Sequence, residues 1–81
     1  MHEAFKSHRQ LQLGMSIDDP NSDIVHYPQL QIGSRTLANG NYETEFRWIR
    51  SCRYFYEINL KTRTIVGWRF EGSEKDCAIV P

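Results

Sequence analysis

Glu43, Glu45, Glu57 and Glu71 are the residues of this chain closest to a catalytic set. Paired carboxylates hydrolyse glycosides when one donates a proton and the other attacks or activates water, and that chemistry requires a water-excluding cleft. Here each glutamate occupies an odd position in a stretch whose odd positions are mostly polar, interleaved with Arg47, Arg53 and Arg69. The arrangement reads as a wet face with ion pairs in water, where each pair contributes little. His2, His8 and His26 lie far apart in sequence and far from both cysteines, in a spacing that matches no familiar ligand set, so no metal and no cofactor is expected. Ser51, Cys52 and His26 include a nucleophile and a base but show no local signature of an activated pair. They read as turn, core and surface residues.

Cys52 and Cys77 are the only cysteines. They lack the close spacing of a zinc or redox motif and permit a single pairing. Joined, they would close a loop of about 26 residues, which loop entropy values at roughly 3 to 3.5 kcal/mol, and they would place the chain in an oxidising compartment such as a periplasm. The alternative is that Cys52 is a small apolar core residue.

Exposed chemistry that packing does not require is the better functional signal. Ile49, Phe55 and Ile65 fall on the polar side of the pattern with Arg47, Arg53 and Arg69, a mixture of apolar and arginine side chains enriched at protein contacts. These residues are the candidate partner surface, set against the ordinary occurrence of single apolar residues on any exterior.

The elements that must position them follow from periodicity. From Tyr42 to Phe70 nearly every even residue is apolar: Tyr42, Phe46, Trp48, Cys52, Tyr54, Tyr56, Ile58, Leu60, Val66, Trp68 and Phe70. A period of two marks strands with one buried side. Asn39-Gly40 signals a tight reversal, so Ile32 to Ala38 is either an edge strand paired with Asn41 to Trp48 or an irregular loop. Cys52 to Leu60 is the central strand and Thr64 to Glu71 the last, with Lys61-Thr62-Arg63 between them. Counting from Leu60 opposite Thr64 sets Ile58 against Val66, Tyr56 against Trp68 and Tyr54 against Phe70 on the dry side. It also sets Arg53 against Glu71 and Phe55 against Arg69 on the wet side.

The N-terminal part is less periodic. Residues 1–13 read as loosely ordered. Ser16 and Asp19 look like a helix entrance, but Pro20 and Pro28 restrict any helix to short pieces between Ser16 and Tyr27, one of them spanning Asp23 to Tyr27.

Eighty-one residues fit one domain, residues 1–81, with room for one sheet and one cover layer. Ten basic and ten acidic residues cancel, which argues against nucleic acid as a partner. No apolar run approaches the roughly 18 to 20 residues of a membrane span, and the start at Met1 lacks the pattern of a secretory signal.

Leu13-Gly14-Met15-Ser16, then Leu37-Ala38-Asn39-Gly40-Asn41, then strands ending in Ile65-Val66-Gly67-Trp68-Arg69-Phe70-Glu71-Gly72 form an order that resembles the BamE-like (SmpA/OmlA) small outer-membrane lipoproteins. The resemblance covers about Leu13 to Cys77. It implies a Gly-Met-Ser entrance to a helical hairpin before a three-stranded antiparallel sheet, with Gly67, Trp68 and Arg69 in the last strand. It also implies a periplasmic domain held at the outer membrane by a lipidated N-terminal cysteine, contacting proteins in envelope assembly and supplying no catalytic residue. Two features depart from it: the Leu-Gly-x-Pro close of the second helix is not recognisable between Ile24 and Gly33, and no lipid-bearing cysteine or signal precedes the domain here. The second departure fits either a chain beginning after the anchor or a relative without one.

The expected fold is therefore α+β, a short N-terminal helical layer on one face of a three- to four-stranded antiparallel meander. The expected function is a non-enzymatic cell-envelope module that binds a protein partner. The alternatives are a periplasmic or secreted inhibitor presenting Ala38 to Asn41 to a hydrolase, and a small enzyme using the glutamates.

Overall fold

The alternating stretch folds as a four-stranded antiparallel sheet in the order β1-β2-β3-β4, formed by Gln31–Thr36, Tyr42–Arg47, Arg53–Asn59 and Thr64–Glu71. The computed structural model describes residues 2–77, with side chains from residue 7 onward. Three helical segments complete the α+β fold, α1 (His2–Leu11), α2 (Asp23–His26) and α3 (Glu74–Cys77), with a 3-10 turn at Pro28–Leu30.

Turn chemistry fixes the meander. Gly40 has φ 87° and its N–H bonds Leu37 O at 3.0 Å, while Asn39 Oδ1 accepts from the Asn41 N–H. The β1–β2 hairpin is thus closed by the residues that signalled it, and the segment after Ile32 is a strand. Between β3 and β4, Asn59 Oδ1 accepts from the N–H groups of Lys61 and Thr62, an Asx-type turn.

The dry face follows the even positions up to one bulge. Tyr56 stands opposite Trp68 and Tyr54 opposite Phe70, and Arg53 opposes Glu71 and Phe55 opposes Arg69, in the expected register. Beyond Glu57–Gly67 the register shifts, so Ile58 meets Ile65 and Asn59 meets Thr64. Val66 is the extra residue, and the bulge inverts the side on which the preceding residue points. Three expectations change as a result. Ile65 is a fully buried core residue rather than part of a wet face, whereas Val66 and Leu60 are 48% and 52% exposed rather than buried. The core itself is aromatic: Phe46 stacks on Tyr54 with centroids 5.1 Å apart, and Tyr56 meets both rings edge-on.

The cover layer differs from the expected one. Residues 1–13, read as loosely ordered, contain α1, whose last turn carries His8 and Arg9 against the negative end of the helix dipole. Ser16 does not open a helix. The backbone from Gly14 to Ile17 lies along β4 instead: Gly14 N–H bonds Ile65 O, Ile65 N–H bonds Met15 O, and Ile17 N–H bonds Arg63 O, at 2.8 to 2.9 Å. Sheet pairing satisfies groups that an interrupted helix before Pro20 would leave open. Farther on, Ser22 caps α2 by accepting from the Val25 N–H, and α2 ends before Pro28.

Cys52 and Cys77 form a disulfide with Cα atoms 5.1 Å apart, which ties α3 to the start of β3. Gly72 makes that return possible. At φ 117°, a Cβ there would stand 2.4 Å from the Ser51 carbonyl oxygen, whereas one on Gly40 would meet nothing within 4 Å. Gly40→Ala is expected to cost about 1 kcal/mol from its backbone conformation alone, and Gly72→Ala at least about 2 kcal/mol because main chain must move as well. Urea midpoints of the two variants check this; equal losses would contradict the close approach.

Candidate functional site

Two polar assemblies occupy opposite faces of the sheet. Under the cover layer, Asp23 is 1% exposed and Arg9 4%. Arg9 Nη1 donates to Asp23 Oδ2 at 2.8 Å, the Tyr56 hydroxyl donates to the same oxygen at 2.5 Å, and His8 Nε2 lies 3.4 Å from Oδ1. Gln12 Oε1 accepts from the Asp23 N–H at 2.7 Å, and Gln12 Nε2 donates to Asn21 O. The Arg9 guanidinium also lies 4.2 Å from the centre of the Tyr54 ring and 5.6 Å from that of Trp48. One carboxylate thereby joins α1, α2 and β3. Burial pushes the Tyr54 hydroxyl up to about 12 and the Tyr56 hydroxyl higher still, and the nearby Asp23 charge acts in the same direction. Both phenols stay protonated at neutral pH, so Tyr56 is a hydrogen-bond donor to Asp23.

On the open face, ion pairs run without a break from Arg35 to Glu43, Arg69, Glu71, Arg53 and Glu45. Glu43 is the best buried of these, 6% exposed, and takes two hydrogen bonds of 3.0 Å from Arg69 in the bidentate form that only a guanidinium offers. Those bonds, assisted by Arg35, hold its carboxyl below the usual glutamate value of 4.5. Arg69 in turn lies over the Phe55 ring, 3.8 Å from its centre.

This geometry sorts the candidate partner residues. Phe55 has the expected wet-side parity, but it is 6% exposed because Arg69 covers it, so it is not a free apolar contact. Ile65 is in the core for the reason given above. Arg69 is held by Glu43 and Glu71, and Arg53 by Glu45 and Glu71. Arg47 stands directly opposite Arg53 on neighbouring strands and is exposed, with no ion pair among the described residues. Arg50, in the loop between β2 and β3, joins them around an open concavity also lined by Ile32, Trp48 and Ser51. The sequence pattern pointed to Arg47 and Arg53 and missed Arg50, which stands outside the strand alternation.

The glutamates do not form a carboxylate pair poised over a cleft. Glu43, Glu45 and Glu71 are in the ion-pair chain, and Glu57 accepts from the side-chain amides of Asn41 and Asn39 at 2.7 and 3.0 Å, which lower its pKa. Among the described residues, no group of three His, Cys, Asp or Glu side chains converges as a metal site would require.

Because the folded-state pKa of Glu43 lies below its unfolded value, its contribution is complete above about pH 4.5 and is lost as the pH falls through the lower folded value. Glu43→Gln is expected to unfold at lower urea than the parent at pH 7 and to show a flatter decline between about pH 5 and 3. Parallel stability curves for the two proteins would contradict the Arg69–Glu43 clamp. Comparisons of the chain with protein-family models, with curated proteins and with solved structures each find no match.

Proposed function

We propose that this chain is a non-enzymatic domain of a bacterial cell-envelope protein, periplasmic and joined to the outer membrane through an N-terminal lipid anchor outside this sequence, and that it binds a protein partner in envelope assembly or integrity. The observation that carries the reading is the disposition of its charges. Those that are buried are engaged internally, Arg9 by Asp23 and Glu43 by Arg69 and Arg35, while Arg47 and Arg50 project where a partner would meet them. A catalytic acid or base has to be reachable by substrate and free to exchange its proton. Asp23 and Glu43 are instead spent on holding elements together.

The Cys52–Cys77 disulfide supports the compartment, because such bonds persist where thiols are not kept reduced. The resemblance to BamE-like lipoproteins over Leu13 to Cys77 supports the envelope setting and the accessory, protein-contacting role.

A second reading, an inhibitor of a hydrolase, draws on the Ala38 to Asn41 loop. Glu57 holds Asn39 and Asn41 in place, and a preordered loop loses little entropy on docking. Loss of a cell-wall hydrolase or β-lactamase activity on adding the purified domain would favour it.

Two measurements on the protein in its own cells test the preferred reading. Alkylation before reduction is expected to leave both cysteines unmodified. A photo-crosslinking residue placed in turn at Ile32, Arg50, Leu60 and Val66 is expected to yield a discrete adduct with an envelope protein from at least one position. Alkylated thiols, or no adduct from any position, would contradict the proposal.

A further inference from the structure

The end of the sheet between β2 and β3 gathers three arginines. Arg47 stands opposite Arg53 across the strand pair, and Glu45 and Glu71 hold Arg53 whereas Arg47 has no ion pair among the described residues. Arg50 sits at φ 55°, a left-handed conformation that is strained for a residue other than glycine. A contrast within the chain shows that the turn geometry does not explain the charge. Arg63 has the same φ in the other hairpin, but its guanidinium is held by both carboxylate oxygens of Asp18, at 2.9 and 3.1 Å. Among the described residues the nearest carboxylate to Arg50 is Asp76 at 4.0 Å, and that oxygen's neighbour is already taken by the N–H and hydroxyl of Ser51.

Among the described residues, no acidic side chain lines the concavity bounded by these arginines, and its other walls are Ile32, Trp48 and Ser51. Its shape suits a narrow occupant. Ile32 lies at the bulged start of β1, an edge strand, whereas the opposite edge, at β4, is partly occupied by the segment from Gly14 to Ile17. An extended chain laid beside β1 would lie about 10 Å from β2, within reach of the long Arg47 side chain, while its main chain met the strand edge. Arginine together with tryptophan is also the composition of energetically dominant contacts.

We propose that this concavity is a docking site for an acidic, extended peptide segment of a protein partner, whose carboxylates neutralise Arg47 and Arg50. The inference rests on the partner-binding reading and specifies its surface and the chemistry of the partner. Glu45 and Glu71 already neutralise Arg53, so the preference for acid comes from Arg47 and Arg50.

The test uses the disulfide-bonded chain and a fluorescein-labelled peptide of alternating aspartate and threonine, with alternating asparagine and threonine as the neutral control. In low salt the acidic peptide is expected to bind at least about tenfold more tightly than the control, and the difference is expected to shrink as salt is raised. Arg47→Glu and Arg50→Glu should each weaken the acidic peptide by about fivefold or more, while Lys61→Glu, in the turn between β3 and β4, should change it by less than about twofold. Arg47→Glu should unfold at about the parent's urea midpoint, since the Arg47 side chain is exposed and makes no ion pair among the described residues, and this separates lost binding from lost folding.

Equal binding of the two peptides, or an equal loss in Lys61→Glu, would overturn the site. Capture of the chain by phosphatidylglycerol vesicles without binding of the acidic peptide would overturn the choice of partner. If the peptide preference is absent while a discrete envelope adduct still forms in cells, the arginine site falls and the partner-binding reading stands. If no adduct forms either, both fall.

Discussion

The cover layer depends on one carboxylate. Asp23 receives Arg9 from α1 and Tyr56 from β3, and its own N–H is held by Gln12, so three chain segments converge on a single residue. A charge removed from water costs several kcal/mol unless its partners are well placed, and here the guanidinium, the phenol and two flanking aromatic rings supply that placement. The same requirement makes the assembly specific. Leucines at these positions could slide, whereas Arg9 and Asp23 satisfy each other only when α1 and α2 lie over the Tyr54–Tyr56 part of the sheet. This also explains how a helical layer with short or interrupted pieces docks in a definite place.

The two faces of the sheet solve different problems. The covered face joins aromatic stacking to the buried ion pair and supplies cohesion. The open face carries a chain of ion pairs that masks Phe55 beneath Arg69 and leaves no large apolar surface between Glu43 and Glu71. Individually these exposed pairs contribute little, but the bidentate Arg69–Glu43 contact has a buried carboxylate under a half-exposed guanidinium and anchors the rest. The chain of ion pairs stops short of Arg47, at the end of the sheet where Arg50 and Trp48 also gather. The disulfide stiffens the same end by fixing α3 against the loop before β3.

The strands were legible in the sequence because alternation and Asn39-Gly40 act locally, through pleat and turn chemistry. The expected pairings from Arg53–Glu71 to Tyr56–Trp68 hold for that reason. The register beyond Gly67 was not legible, since a bulge changes which of Ile65 and Val66 is buried without changing composition or average period. Phe55 illustrates a related limit: parity correctly named its side of the sheet, but its burial depends on where the Arg69 side chain lies. The cover layer was the least legible. Arg9 and Asp23 lie 14 residues apart with no motif between them, and only the folded sheet, through Tyr56, makes their pairing favourable. Ser16 had the residue type of a helix cap, and competition from the edge of β4 assigned its segment to the sheet.

A double-mutant cycle on Arg9→Met and Asp23→Leu, read by urea unfolding at neutral pH, tests the dependence on this carboxylate most directly. Each single change leaves the other charge buried without its partner and is expected to cost about 3 to 5 kcal/mol, while the double variant, which buries no charge, should be markedly more stable than either. Single variants that each lose less than about 1 kcal/mol, or a double variant whose loss is the sum of the two, would contradict the account.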